Sequence, residues 1–92
     1  MSEEAEEIVE ERIYTIPLKK AWNVPRKKRT PRAIRLIREF VKRHMKAEDV
    51  RIETEVNEAV WTRGIQKPPR RIRVRVTKDK DGVVTVHLAE KG

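Results

Sequence analysis

Ninety-two residues suffice for one domain with a small core, because a chain this short buries only about 60–65% of the surface its unfolded form exposes. Lys plus Arg number 23 against 15 Asp plus Glu, a net charge of +8, so the folded chain repels itself until a polyanion relieves it. There is no cysteine, which removes disulfide frameworks, thiolate metal sites and cysteine nucleophiles together, and no run approaches the roughly 18 apolar residues of a membrane span.

The first eleven residues hold six glutamates and no basic side chain, and only Ile8 and Val9 near their end are large aliphatics. Such a segment buries too little apolar surface to order itself, so residues 1–11 are expected to form a disordered acidic tail ahead of a single domain over 12–90. An acidic start is also unlike the basic-then-apolar pattern of a secretory signal, and the chain is expected to be cytoplasmic. From Arg12 to Leu18, Tyr14, Ile16 and Leu18 alternate against Ile13, Thr15 and Pro17, which predicts a strand with Pro17 near its end or on a sheet edge.

Lys19 to Arg29 carries two basic clusters, Lys19-Lys20 and Arg26-Lys27-Lys28-Arg29, around a short Ala21–Pro25 segment, and reads as a basic loop. Its Trp22 either seals the core beneath the loop or stacks on a base. Thr30 suits an N-cap and Pro31 the first helical position, so a helix should begin there and run to Lys46. At 100° per residue Ala33, Ile34, Leu36, Ile37, Phe40, Val41 and Met45 share one half of the wheel, with His44 among them. Arg32, Arg35, Arg38, Glu39, Lys42, Arg43 and Lys46 share the other half. A solvated face normally mixes both signs, but this one sets six bases against one acid and calls for an anion.

Val50 and Ile52 alternate with Arg51 and Glu53 as a short second strand, and Val56, Ala59 and Val60 predict a short helix over 55–62 closed by Gly64. The charge turns acidic here, so this face should look away from phosphates. Gln66 to Arg70 is a loop stiffened by Pro68 and Pro69. Arg71, Arg73 and Arg75 then alternate with Ile72, Val74 and Val76 as a strand with one arginine face. Asp81-Gly82 is a turn signal, and Val84, Val86 and Leu88 complete a hairpin. The predicted fold is α+β: one main amphipathic helix and a short second helix packed on a small β-sheet with a C-terminal hairpin.

Residues 19–46 hold twelve bases and one acid, residues 63–80 hold eight and one, and the remainder holds three bases and thirteen acids. The only serine is Ser2 and the only histidines are His44 and His87, so no nucleophile with a neighbouring base can be assembled and no enzyme is expected. Glycine-rich phosphate loops and zinc spacings are missing as well, which argues against any cofactor, metal or small-molecule substrate. A helix-turn-helix would need a second helix just beyond Met45, where the chain turns extended. A membrane-surface helix would leave the arginine strand unexplained. RNA of irregular shape fits better, since a loop, a helix face and a strand can grip phosphates from several directions; the alternative is a free nucleic-acid binder acting on duplex DNA or another RNA.

Four blocks, Thr30-Pro31-Arg32-Ala33-Ile34-Arg35, Val50-Arg51-Ile52-Glu53-Thr54, Val56-Asn57-Glu58-Ala59-Val60-Trp61-Thr62-Arg63-Gly64-Ile65 and Pro68-Pro69-Arg70-Arg71-Ile72-Arg73-Val74-Arg75, resemble ribosomal protein thirty-one of the archaeal and eukaryotic large subunit. The resemblance covers Arg12 to Lys78. It implies a monomeric scaffold protein on large-subunit ribosomal RNA at the rim of the peptide exit tunnel, beside other ribosomal proteins and near factors that meet the nascent chain. Together with the basic loop, it gives the expected RNA contacts: Lys19, Lys20, Trp22, Arg26, Lys27, Lys28, Arg29, Thr30, Arg32, Arg35, Trp61, Arg63, Lys67, Pro68, Pro69, Arg70, Arg71, Arg73 and Arg75. Glu55 and Glu58 stand where eukaryotic members often carry bases and are left out. The chain's end soon after the hairpin, without the longer tail of eukaryotic relatives, points to an archaeal member.

Overall fold

The computed structural model describes residues 8–89. Its elements are β1 (Ile8–Pro17), α1 (Arg29–Met45), β2 (Val50–Ile52), α2 (Thr54–Trp61), β3 (Arg71–Asp79) and β4 (Val84–Leu88), with two 3-10 turns, Lys19–Asn23 and Arg26–Lys28, before α1. The strands form one sheet in the order β1-β3-β4-β2. The β1/β3 and β3/β4 pairs are antiparallel, and β2 runs parallel to β4. The fold is the expected α+β.

Strict alternation on β3 gives the sheet two unlike faces. Ile72, Val74 and Val76 are buried with Ile16, Val84 and Val86, and on them rest Ala33, Ile37, Val41 and Met45 of α1 and Val56 and Val60 of α2. Each such aliphatic contributes about 1.5–3 kcal/mol when fully buried, and this one layer carries most of the apolar burial. Arg71 and Arg73 project from the opposite face, which carries neither helix. No helix among the described residues is long and apolar enough to cross a membrane.

Strand β1 begins at Ile8, four residues before the predicted start, while residues 1–7 of the predicted tail lie outside the described residues. Burial does not hold this end, because Ile8, Val9 and Ile13 remain 52%, 60% and 55% exposed. Backbone pairing with β3 does, helped by charge: Glu10 lies opposite Lys78, Glu11 meets Arg75 at 3.4 Å, and Arg12 meets Glu10 at 2.9 Å. Sequence hydropathy is blind to that support. Leu18, predicted as the last strand residue, lies just past β1 but is buried and donates its N–H to the Arg70 carbonyl at 2.7 Å.

Helix α1 starts at Arg29, and Thr30 is not its cap. The Thr30 side chain is fully buried, its hydroxyl donates to the Gly64 carbonyl at 2.8 Å and its N–H donates to the Ile65 carbonyl at 3.0 Å. The threonine thus satisfies a donor of the first helical turn with a distant loop instead of its own side chain. His44 is likewise corrected. It is exposed at the border of the apolar arc, with its ring stacked on Phe40 at 3.9 Å between centroids and its Nδ1 2.9 Å from the Phe40 carbonyl oxygen. Helix α2 runs from Thr54 to Trp61, one residue earlier than predicted at each end, and Gly64 follows at φ +93° with its N–H bonded to the Trp61 carbonyl at 2.8 Å. The predicted Asp-Gly turn forms as read, with Gly82 at φ +87° and the Asp79 carboxylate accepting the N–H groups of Asp81 and Val83.

Replacing Thr30 with Val keeps the shape and removes the hydroxyl, leaving the Gly64 carbonyl without that partner. The expected loss is about 1–2 kcal/mol in urea unfolding; an unchanged midpoint would show that the bond carries no weight.

Candidate nucleic-acid interface

Three segments remote in sequence meet at one end of the sheet. Strand β3 starts there opposite the end of β1, since Pro17 pairs with Arg71. The Leu18 N–H bonded to Arg70 fixes the start of the basic loop, and the Thr30 bonds to Gly64 and Ile65 fix the start of α1 against the loop that follows α2. Both basic blocks of the sequence therefore converge.

The junction of the blocks is Trp22. Its ring is half-buried, with the Arg29 guanidinium carbon 4.8 Å and that of Arg70 4.5 Å from the ring centroid. Arg29 also donates from Nε to the Val24 carbonyl at 3.3 Å, so its charge is held over the indole and does not reach outward freely. Neither reading of Trp22, simple core plug or free stacking platform, describes this arrangement. The indole Nε1 is buried and has no hydrogen-bond partner among the described residues, an omission that costs about 1–3 kcal/mol.

Two grooves flank this junction. One, of about 660 Å³, is bordered by Lys20, Lys28, Arg32 and Arg35 with Asn23, four cations and no carboxylate. The other, of about 720 Å³, has Trp22, Ala59 and Pro69 with the cations Arg63, Lys67 and Arg70. A smaller cleft joins Lys19 and Lys20 to Arg43 of α1, and there Glu39 offsets the charge. Arg43 was passed over in the sequence reading although its place on the charged half of the wheel was visible. None of the cations bordering the two larger grooves has a carboxylate within 4 Å among the described residues; the ion pairs seen there are Arg12–Glu10, Arg51–Asp49 and Arg75–Glu11.

Not every expected contact residue faces solvent. Thr30 and Pro68 are buried and support the end of the domain from inside. Trp61, on the last turn of α2, is 38% exposed, and Arg26 and Lys27 are exposed in the second 3-10 turn. Arg71, Arg73 and Arg75 stand on the open face of the sheet, opposite the helices, so they do not join the two grooves; Arg71 and Arg73 are exposed and Arg75 is half-buried beside Glu11. Among the other helix bases, Arg38 donates to the Val50 carbonyl at 2.8 Å and ties α1 to β2. No cluster of metal-ligating side chains occurs among the described residues.

The model of the family described as ribosomal protein L31e matches residues 8–82. The chain belongs to the L31e family. Among its similar relatives is the protein named large ribosomal subunit protein eL31 from Methanopyrus kandleri, 58% identical over 84 residues that cover 91% of this chain and 98% of the relative. The proteins of the same name from Methanothermobacter thermautotrophicus and Methanocaldococcus jannaschii are 55% and 57% identical, over 87% and 90% of this chain and 99% and 95% of theirs. The L31e match starts at the first residue of β1 and spans both grooves and the arginine strand. Strand β4 lies past its end, yet is the strand that joins β3 to β2.

Trp22→Phe removes the unpaired N–H, which offsets the packing lost with the smaller ring, and keeps an aromatic face for both guanidiniums, so unfolding in urea should stay within about 1 kcal/mol of the native value. Trp22→Ala should lose about 2 kcal/mol or more. Equal losses in both variants would contradict the view that the unpaired indole N–H is a cost to the fold.

Proposed function

We propose that this chain is a structural component of the large ribosomal subunit and that it binds ribosomal RNA with the basic end of the domain. Relatives identical to it at more than half of the aligned positions, over nearly their whole length, bear the name large ribosomal subunit protein eL31. The observation that carries the RNA reading is the convergence of Lys20, Lys28, Arg32 and Arg35 in one groove and Arg63, Lys67 and Arg70 in the next, none with an acidic partner among the described residues. Packing like charges together opposes folding, and an arriving phosphate backbone reverses the sign of that term.

The mechanism is electrostatic and positional. Each phosphate neutralised releases condensed counterions, arginine forks fix the register, and shape is read in place of base sequence. On this reading Arg71 and Arg73 give the open sheet face a second contact, so that RNA is engaged from two sides of the sheet. The protein would act on the cytoplasmic ribosome as a monomeric, non-enzymatic scaffold, beside other ribosomal proteins. It would sit at the rim of the peptide exit tunnel, as the family resemblance implies, with its outer surface open to factors that meet the nascent chain.

Two outcomes are expected. Charge reversal at Arg71 and Arg73 should weaken binding to large-subunit RNA more than reversal at Arg75, whose charge Glu11 already meets at 3.4 Å; equal effects would remove the sheet face from the interface. In sucrose gradients of cell extract the protein should sediment with the large subunit through a high-salt wash. Sedimentation as a free protein or with the chromosome would contradict the ribosomal reading.

A further inference from the structure

The two grooves at the basic end differ in chemistry, and that difference is informative. Lys20, Lys28, Arg32 and Arg35 border the first beside Asn23, Val24 and Pro31, with no aromatic ring, and four cations in one groove suit a run of phosphates. Between the end of α2 and the segment before β3, Arg63 and Lys67 stand beside Ala59, Pro69 and the Trp22 ring with the Arg70 guanidinium over it, a planar layer flanked by apolar side chains. A backbone in a duplex has no use for that surface. A base turned out of its helix does, since unpaired bases are held by stacking on aromatic rings and guanidinium planes while their phosphates meet cations.

We propose that this second groove seats one unpaired RNA nucleotide, its base stacked on the Arg70 guanidinium that lies over Trp22 and against Pro69, and its phosphate on Arg63 and Lys67. The inference rests on the ribosomal-RNA reading above. Three features support it independently. The volume of about 720 Å³ falls within the ~300–1,000 Å³ of pockets that take small organic molecules. No carboxylate borders the groove, which disfavours a cation or a basic peptide and favours a group joining a ring to an anion. The walls are set before binding, because Thr30 fixes Gly64 and Ile65, Leu18 fixes Arg70, and two prolines stiffen the segment between, so little order is lost on docking.

The test uses the full chain with Thr62→p-benzoylphenylalanine, at a groove residue whose hydroxyl bonds only within its own helix end, to the Glu58 carbonyl. The variant is bound to purified large-subunit RNA, irradiated, and the crosslinked position read by primer extension. One position should dominate, reactive to a 2′-hydroxyl acylating reagent in free RNA and protected in the complex. An RNA fragment made abasic at that nucleotide should bind about tenfold more weakly, the share of one stacked base. With Ala59→Trp, whose ring crowds the seat of the base beside Pro69, intact and abasic fragments should bind alike. Crosslinks confined to paired nucleotides, no crosslink despite retained RNA binding, or equal affinity of the native chain for intact and abasic fragments would overturn the proposal. Failure of the native chain to bind the RNA at all would overturn the ribosomal-RNA reading as well.

Discussion

The hydroxyl of Thr30 and the carbonyl of Gly64 are 34 residues apart in sequence and 2.8 Å apart in space. Through that bond, and through the Thr30 N–H on Ile65, the start of the long basic helix is joined to the loop that leads into the arginine strand. Coulomb repulsion works against this join, since unit charges 4 Å apart still repel by about 1 kcal/mol even in water and more beside a protein surface. Buried, short-range bonds resist it: Thr30 to the 64–65 carbonyls, Leu18 to Arg70, and aliphatic packing beneath. The result is a domain whose one end holds unpaired cations at fixed spacing before any partner arrives.

Fixed spacing is what separates such a surface from a merely basic tail. A disordered segment of equal charge would release the same counterions but would lose conformational freedom on docking. Here Arg29 and Arg70 lie over the Trp22 ring, Arg38 is used to fasten α1 to β2, and Lys78 donates to the Met45 carbonyl at 3.3 Å at the far end of the helix. Several bases are therefore part of the framework, and the rest are aimed by it. The same division explains why the open face of the sheet, with Arg71 and Arg73 exposed and Arg75 beside Glu11, is a weaker concentration of free charge than the helical end.

Much of this was readable in the sequence, for definite reasons. The alternation on β3, the wheel of α1 apart from His44, and the Asp-Gly turn are local patterns that formed as read. Thr30 was misassigned because a threonine before a proline looks like a cap, and nothing local distinguishes a hydroxyl turned to its own helix from one turned to a carbonyl 34 residues away. The first half of β1 was missed because it is held by backbone pairing and by Glu10, Glu11 and Arg12, with its apolar side chains left in solvent. The parallel pairing of β2 with β4 is a consequence of topology that periodicity does not encode. The guanidiniums over Trp22 belong to the same class: Arg70 reaches the ring only after the chain has crossed the domain.

The central claim, that one end of the domain grips RNA and the other does not, is tested most directly by acetylation of lysines read by mass spectrometry, with the chain free and bound to purified large-subunit RNA. Lys20, Lys28 and Lys67 border the two basic grooves, whereas Lys46 is exposed just beyond the opposite end of α1. The account predicts that Lys20, Lys28 and Lys67 lose most of their reactivity in the complex and that Lys46 keeps its own. Uniform protection along the chain, or protection of Lys46 with the groove lysines left reactive, would contradict it.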